Sequence, residues 1–137
     1  MPVYLEWLES PTEQQWQDLD KLLQDAPPSH HDGNVITSAK QYVKHLNEEY
    51  SVALAEFNGH IVAWAVLCPH ADGWRIKDVL VRSATRKRGV ATQLIQRLQQ
   101  WAQDQAKSLY IRQQHPSLNQ LMGLGFVAQG DDWVRHN

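Results

Sequence analysis

Three short apolar runs stand almost end to end in the middle of the chain: "SVALAEF" at 51–57, "HIVAWAVLC" at 60–68 and "GWRIKDVLV" at 73–81. Asn58-Gly59 joins the first two. Both residues tolerate positive φ, as a two-residue hairpin turn requires. The segment "PHADG" turns the second run into the third. The pattern predicts three consecutive antiparallel strands, and everything around them has to pack on that sheet.

The flanks supply the cover. Residues 3–8, "VYLEWL", alternate and predict a first strand. "SPTEQQWQDLDKLLQDA" opens a helix that Ser10 or Thr12 can cap, with Pro11 and Glu13 suited to its first turn. Trp16, Leu19, Leu22 and Leu23 give it one apolar face. After the breaker "APPSHHDGN", a weaker helix is expected over 36–46, carrying Ile36, Ala39, Val43 and Leu46. A long helix is expected over 88–106, with Val90, Leu94, Ile95, Leu98, Trp101 and Ala102 as its buried stripe. Then come a strand at 108–112, a brief helix in "PSLNQLMGLG" and a closing hairpin over Gly130-Asp131-Asp132. The fold class is α/β in the broad sense, a mixed sheet covered by helices.

At 137 residues the chain should be one domain, 1–137, and 42 % hydrophobic with 20 % charged residues gives it a real core. A net charge of −2 offers no reason to expect nucleic acid or a membrane surface as partner. The only cysteine is Cys68, and the first ten residues do not read as a signal peptide, so a cytoplasmic protein is expected. His30-His31-Asp32 is the densest group of possible metal ligands, but no paired spacing supports it and no metal is expected. Trp16, Trp64 and Trp101 fit apolar faces. Trp74 and Trp133 are expected to be half-buried at strand ends, or else part of a partner surface.

Against this acidic background, Arg82, Arg86, Lys87 and Arg88 crowd the junction between the third run and the long helix. The first N–H groups of a helix lack partners within it, and with the macrodipole they form an anion site. Gly89 lets the backbone bend and a ligand approach, and Ala91 keeps the first turn uncluttered. Arg86, Lys87 and Arg88 add charge suited to a pyrophosphate, and Arg82 could reach another phosphate. The alternative is a solvated basic turn that merely starts a helix.

"RKRGVA", with Arg86, Gly89 and Ala91 in place, resembles the acyl-CoA-binding signature of the GNAT N-acetyltransferases. "DVLV" is similar to their fourth strand and "GLGF" at 123–126 to a late signature of theirs. The resemblance implies a splayed, mostly antiparallel sheet flanked by helices, with acetyl-CoA in the opening between the fourth and fifth strands. It implies that residues 86–92, including Val90 and Thr92, hold the pyrophosphate, and that the backbone of Val79, Leu80 and Val81 pairs with the pantetheine arm. The implied activity is acetyl transfer to a primary amine, on a small molecule or a protein. Many relatives carry a tyrosine where this chain has Leu121, and asparagine where it has Gln114. Tyr110 is expected to pack rather than react. Asp78 is the candidate base, with Glu56 behind it; the alternative is that Asp78 pairs with Lys77 or Arg75 or faces solvent. The missing tyrosine also resembles the PanZ/PanM-like acetyl-CoA sensors, which implies the aspartate decarboxylase precursor as an alternative partner.

Overall fold

The structure is a computed structural model that describes residues 2–25, 38–46, 48–82, 85, 88–112 and 124–136. In chain order the elements are β1 (Tyr4–Trp7), α1 (Glu13–Asp25), α2 (Ala39–His45), β2 (Ser51–Phe57), β3 (His60–His70), β4 (Gly73–Val81), α3 (Val90–Asp104), β5 (Ser108–Arg112), β6 (Val127–Gln129) and β7 (Asp132–Arg135). Among the described residues the strands form one seven-stranded sheet in the order β1-β2-β3-β4-β5-β7-β6. Only β4 and β5 run parallel; every other neighbouring pair is antiparallel.

The hairpin expected at Asn58-Gly59 is present. The two residues sit at φ 53° and 79°, and Phe57 pairs with His60 across the turn. Thr12, not Ser10, caps α1: its hydroxyl accepts from the Gln15 N–H at 3.2 Å while the Gln15 side chain accepts from the Thr12 N–H at 3.0 Å. This reciprocal pair satisfies two otherwise orphaned donors. α2 starts at Ala39 because the Ser38 hydroxyl caps it by accepting from the Gln41 N–H at 3.1 Å. Ile36 and the brief helix expected at 116–125, apart from 124–125, lie outside the described residues.

The sheet is covered on both faces. On one, α3 buries Leu94, Ile95 and Leu98 completely against Ala53, Ala55, Ala63 and Ala65 of β2 and β3. Small side chains at the sheet centre let the helix axis come close, and each large aliphatic group so buried contributes about 1.5–3 kcal/mol. Trp101 extends this layer, its ring 4.7 Å from that of Trp7 and 5.4 Å from that of Trp74. On the other face, Leu19 and Leu22 of α1 pack with Leu54, Val66 and the fully buried Trp64. Trp74 and Trp133 are half-buried against the α3 layer, as expected of strand ends.

α1 is also bolted to its surroundings through acids. Buried Asp18 accepts the Ile61 N–H of β3 at 3.0 Å, and Asp20 accepts the Ala39 N–H of α2 at 2.7 Å. These bonds fix the helix over the hairpin and set the start of the next helix.

One contact on the α1 face carries a pH signature. Tyr4 pairs with Glu56 and Glu6 with Leu54, so the carboxyls of Glu6 and Glu56 share a face. The hydrogen bond to Glu56 raises the pKa of Glu6, and burial and charge repulsion push the same way. Folding therefore favours the protonated form, and that contribution is lost as pH rises through the folded value. Glu6→Gln should raise the melting temperature by about 1–2 °C at pH 7.5, with the gain vanishing near pH 4. Thermal denaturation at the two pH values checks this.

Candidate functional site

Among the described residues β4 and β5 pair over a short stretch. Gly73 faces Ser108 and the register ends with Ile76 opposite Ile111, whereas β4 runs on to Val81. The close start is sterically fixed, because a Cβ at Gly73 would overlap the Ser108 carbonyl. Just past the last pair, β4 carries a bulge. Val66 of β3 faces Asp78, but Leu67 faces Ile76, so Lys77 is the extra residue. A bulge bends its strand and increases local twist. Beyond it, no described residue pairs with the β5-facing edge of Val79, Leu80 and Val81, while their other edge stays paired to Ala65, Trp64 and Ala63.

That edge leads into the start of α3. The Arg82 N–H extends the ladder to the Val62 carbonyl at 2.9 Å, and the Thr85 N–H and hydroxyl both donate to the Arg82 carbonyl at 3.0 Å. Gly89 is the N-cap, at φ 76°, where any L side chain would be strained. Among the described residues a Cβ there would meet nothing within 4 Å. The first helical bond runs from the Gln93 N–H to the Gly89 carbonyl at 3.0 Å. The N–H groups of Val90, Ala91 and Thr92 come before it and point out of the helix end. Gly89 has no side chain to cap them. Val90 and Ala91 anchor the turn in the core, and Arg88 is exposed beside it. Arg86 and Lys87 lie outside the described residues.

The other expected residues separate. Asp78 follows the bulge directly, on the strand that lines the opening. Glu56 sits on β2 beside β1, two strands away from β4. Arg82 does not reach toward the turn: its Nε donates to Asp25 of α1 at 3.0 Å, and this ion pair straps the loop to the helix. Tyr110 is buried and points away from the opening, its hydroxyl donating to Asp72. Leu121 and Gln114 lie outside the described residues. The bulge at Lys77 was not anticipated, although the adjacent polar pair Lys77-Asp78 between Ile76 and Val79 is the slip in alternation that announces it.

Tyr110 belongs to a polar network at the closed end of the sheet. The Ser108 hydroxyl donates to Asp72 at 3.0 Å, and Arg75 donates to Asp132 at 3.0 Å and lies 3.1 Å from His70 Nε2. The Tyr110 and Ser108 hydroxyls hold the Asp72 carboxyl below its usual range. Its contribution to stability is present at neutral pH and lost as pH falls through the folded value. Asp72→Asn should therefore lower the melting temperature at pH 7, and the deficit should close below about pH 4. A series of melts from pH 7 to well below pH 4 is the measurement.

An open β4 edge running into an uncapped, glycine-led helix start, on a sheet with one parallel pair, is the layout of an acyltransferase of the acyl-CoA type. The sequence profile of the Acetyltransferase (GNAT) family matches residues 5–126, and the chain belongs to that family. No curated protein sequence matches it. Solved structures with the same fold include YhhK of E. coli bound to coenzyme A, with 18 % identity, TM-score 0.67 and 100 % of both chains covered. A GNAT family acetyltransferase of Elizabethkingia anophelis with acetyl-CoA bound has 18 % identity and TM-score 0.65, covering 98 % of each chain. The aminoglycoside 6'-N-acetyltransferase of Enterococcus faecium has 15 % identity and TM-score 0.69, covering 97 % of this chain and 96 % of its own.

Proposed function

We propose that the chain binds acetyl-CoA and transfers its acetyl group to a primary amine. The observation that carries this is the continuity of the unladdered edge of Val79 to Val81 with the open turn at Gly89. A pantetheine arm has two amides, which an exposed strand edge can bind as it would another strand. Next along the path, the N–H groups of Val90, Ala91 and Thr92 suit a diphosphate. Arg86, Lys87 and Arg88 add positive charge there.

The bound thioester supplies an activated acetyl carbon: the amine nitrogen forms a bond to it, the C–S bond breaks, and the thiolate is protonated. The chain's own part is alignment and charge. A β4 amide donates to the thioester oxygen, and such donors are worth about 10²–10³ in rate. Asp78, directly or through a water, takes the proton that the acceptor ammonium must lose. Gly89→Glu puts a carboxylate and a strained side chain in front of the helix start. By calorimetry it should weaken acetyl-CoA binding at least about 100-fold. Asp78→Asn should leave that affinity unchanged and lower amine-dependent thiol release about 10²-fold or more. Wild-type protein that shows neither binding nor release over a panel of amines overturns the proposal.

A second reading is favoured by Tyr110, which is committed to Asp72 and so does not act as the acid. In it the domain binds acetyl-CoA without turnover and associates with an aspartate decarboxylase precursor only when loaded. Acetyl-CoA-dependent co-purification of the pair, with no thiol release, would select it. Among the described residues no helix is long and apolar enough to cross a membrane, and neither reading calls on one.

A further inference from the structure

A cavity of about 450 Å³ runs along α3, between that helix and β7. Gln96, Gln99, Gln100 and Gln103 form its helix side, and Gly125 and Arg135 form the other. That is the size range of small-molecule sites. The Arg135 guanidinium is packed against Gly125, so closely that an added Cβ there would come 3.1 Å from it. Among the described residues the Arg135 side chain forms no ion pair, and its buried Nε has no acceptor. A partly buried charge without a counter-ion is costly, so an arginine in this setting calls for an anion. The acids at this end of the sheet are committed elsewhere: Asp132 to Arg75, and Asp72 to Ser108 and Tyr110. The segment 113–123, which leads into Leu124, contains no aspartate or glutamate.

We propose that this cavity binds a small hydroxylated carboxylate, at a site separate from the acetyl-CoA cleft. Charge decides the anion. Arg135 is the one charged side chain among the described lining residues. On the helix beside it, Arg97 and Asp104 are of opposite sign and offset each other, and Asp104 is held by the Gln100 carboxamide at 3.0 Å. The last carbonyls of α3 do not oppose an anion, because those of Ala102 and Gln103 accept from the N–H groups of Gln105, Ala106 and Lys107. A carboxylate can take two guanidinium N–H groups at once. The carboxamides decide the body of the ligand. Gln96, Gln99 and Gln103 each offer an acceptor oxygen and two donor N–H groups, a set that hydroxyls match because they both donate and accept. Leu124 is the only apolar side chain in the described lining, so an apolar body would find little to pack on. Position separates the two sites. Arg135 faces Leu109 of β5, which faces Trp74 of β4 at the closed end of the sheet. Val79 comes five residues after Trp74, about 15 Å along β4. Gln99 and Gln103 come ten and fourteen residues after Gly89, about 15 and 21 Å along α3. A ligand held by Arg135 and these glutamines therefore touches neither the Gly89 turn nor the edge of Val79 to Val81.

The test is calorimetry on the full chain at constant ionic strength, with D-gluconate as the probe. Its neutral counterpart D-glucitol carries a hydroxymethyl group in place of the carboxylate, and acetate carries the carboxylate without the hydroxyls. None of the three has an amine, so turnover does not confuse the readout. Expected is saturable binding of gluconate that persists with acetyl-CoA present in excess, with glucitol and acetate each about tenfold weaker or more. Arg135→Gln should weaken gluconate about tenfold or more. Gln103→Glu, at an exposed helix position that the core does not need, sets a carboxylate into the cavity and should weaken it to a similar degree without changing Tm. This second variant carries the test if Arg135→Gln fails to fold. The proposal is overturned by the absence of saturable binding at millimolar gluconate, by equal binding of glucitol or acetate, by an unchanged affinity in Gln103→Glu or in folded Arg135→Gln, or by displacement of the probe with acetyl-CoA. The last result would place the carboxylate in the thioester cleft instead.

Discussion

The parting of β4 from β5 is the constraint on which the rest of the molecule depends. Two parallel strands held at Gly73 and Ser108 would ordinarily stay paired along their length. Here the extra residue at Lys77 bends β4, and among the described residues nothing pairs with its β5-facing edge over Val79 to Val81. Buried free edges are costly because their polar groups need partners. In the proposed function, a ligand that brings amides supplies those partners. The same strand delivers the chain to Gly89, so one backbone element sets both halves of the proposed cleft.

Such a gap lasts only if both sides are braced. α3 braces one face, burying its stripe against alanines of β2 and β3. α1 braces the other through three aspartates with different jobs. Asp18 takes a β3 amide, Asp20 takes the first amide of α2, and Asp25 takes the guanidinium of Arg82. The last of these shows why a cluster of basic residues cannot be read as a single patch: Arg82 serves the scaffold, whereas Arg88 stays exposed beside the turn.

Much of this was legible in the sequence where the signal was local. Asn58-Gly59 announced its hairpin, the spacing from Val90 to Ala102 announced α3, and the glycine after three basic residues announced the helix start. What stayed hidden was set by contacts distant in sequence. Arg82 and Asp25 are 57 residues apart, and nothing in either neighbourhood pairs them. Tyr110 could be assigned to packing from its alternation, but its anchor Asp72 lies in a turn 38 residues earlier. The closing hairpin was readable as a pair. That β7 would join β5 and leave β6 outermost depends on which strand carries the buried Val134.

The strand lengths have a consequence of their own. The interior strands β2, β3 and β4 are seven, eleven and nine residues long, whereas the two outermost strands, β1 and β6, have four and three. The sheet thus tapers toward its margins, and β6 runs straight into the turn at Gly130-Asp131. Margins that short give a neighbouring molecule little backbone to template on. By this taper the two outer seams are nearly closed to fibrillar growth.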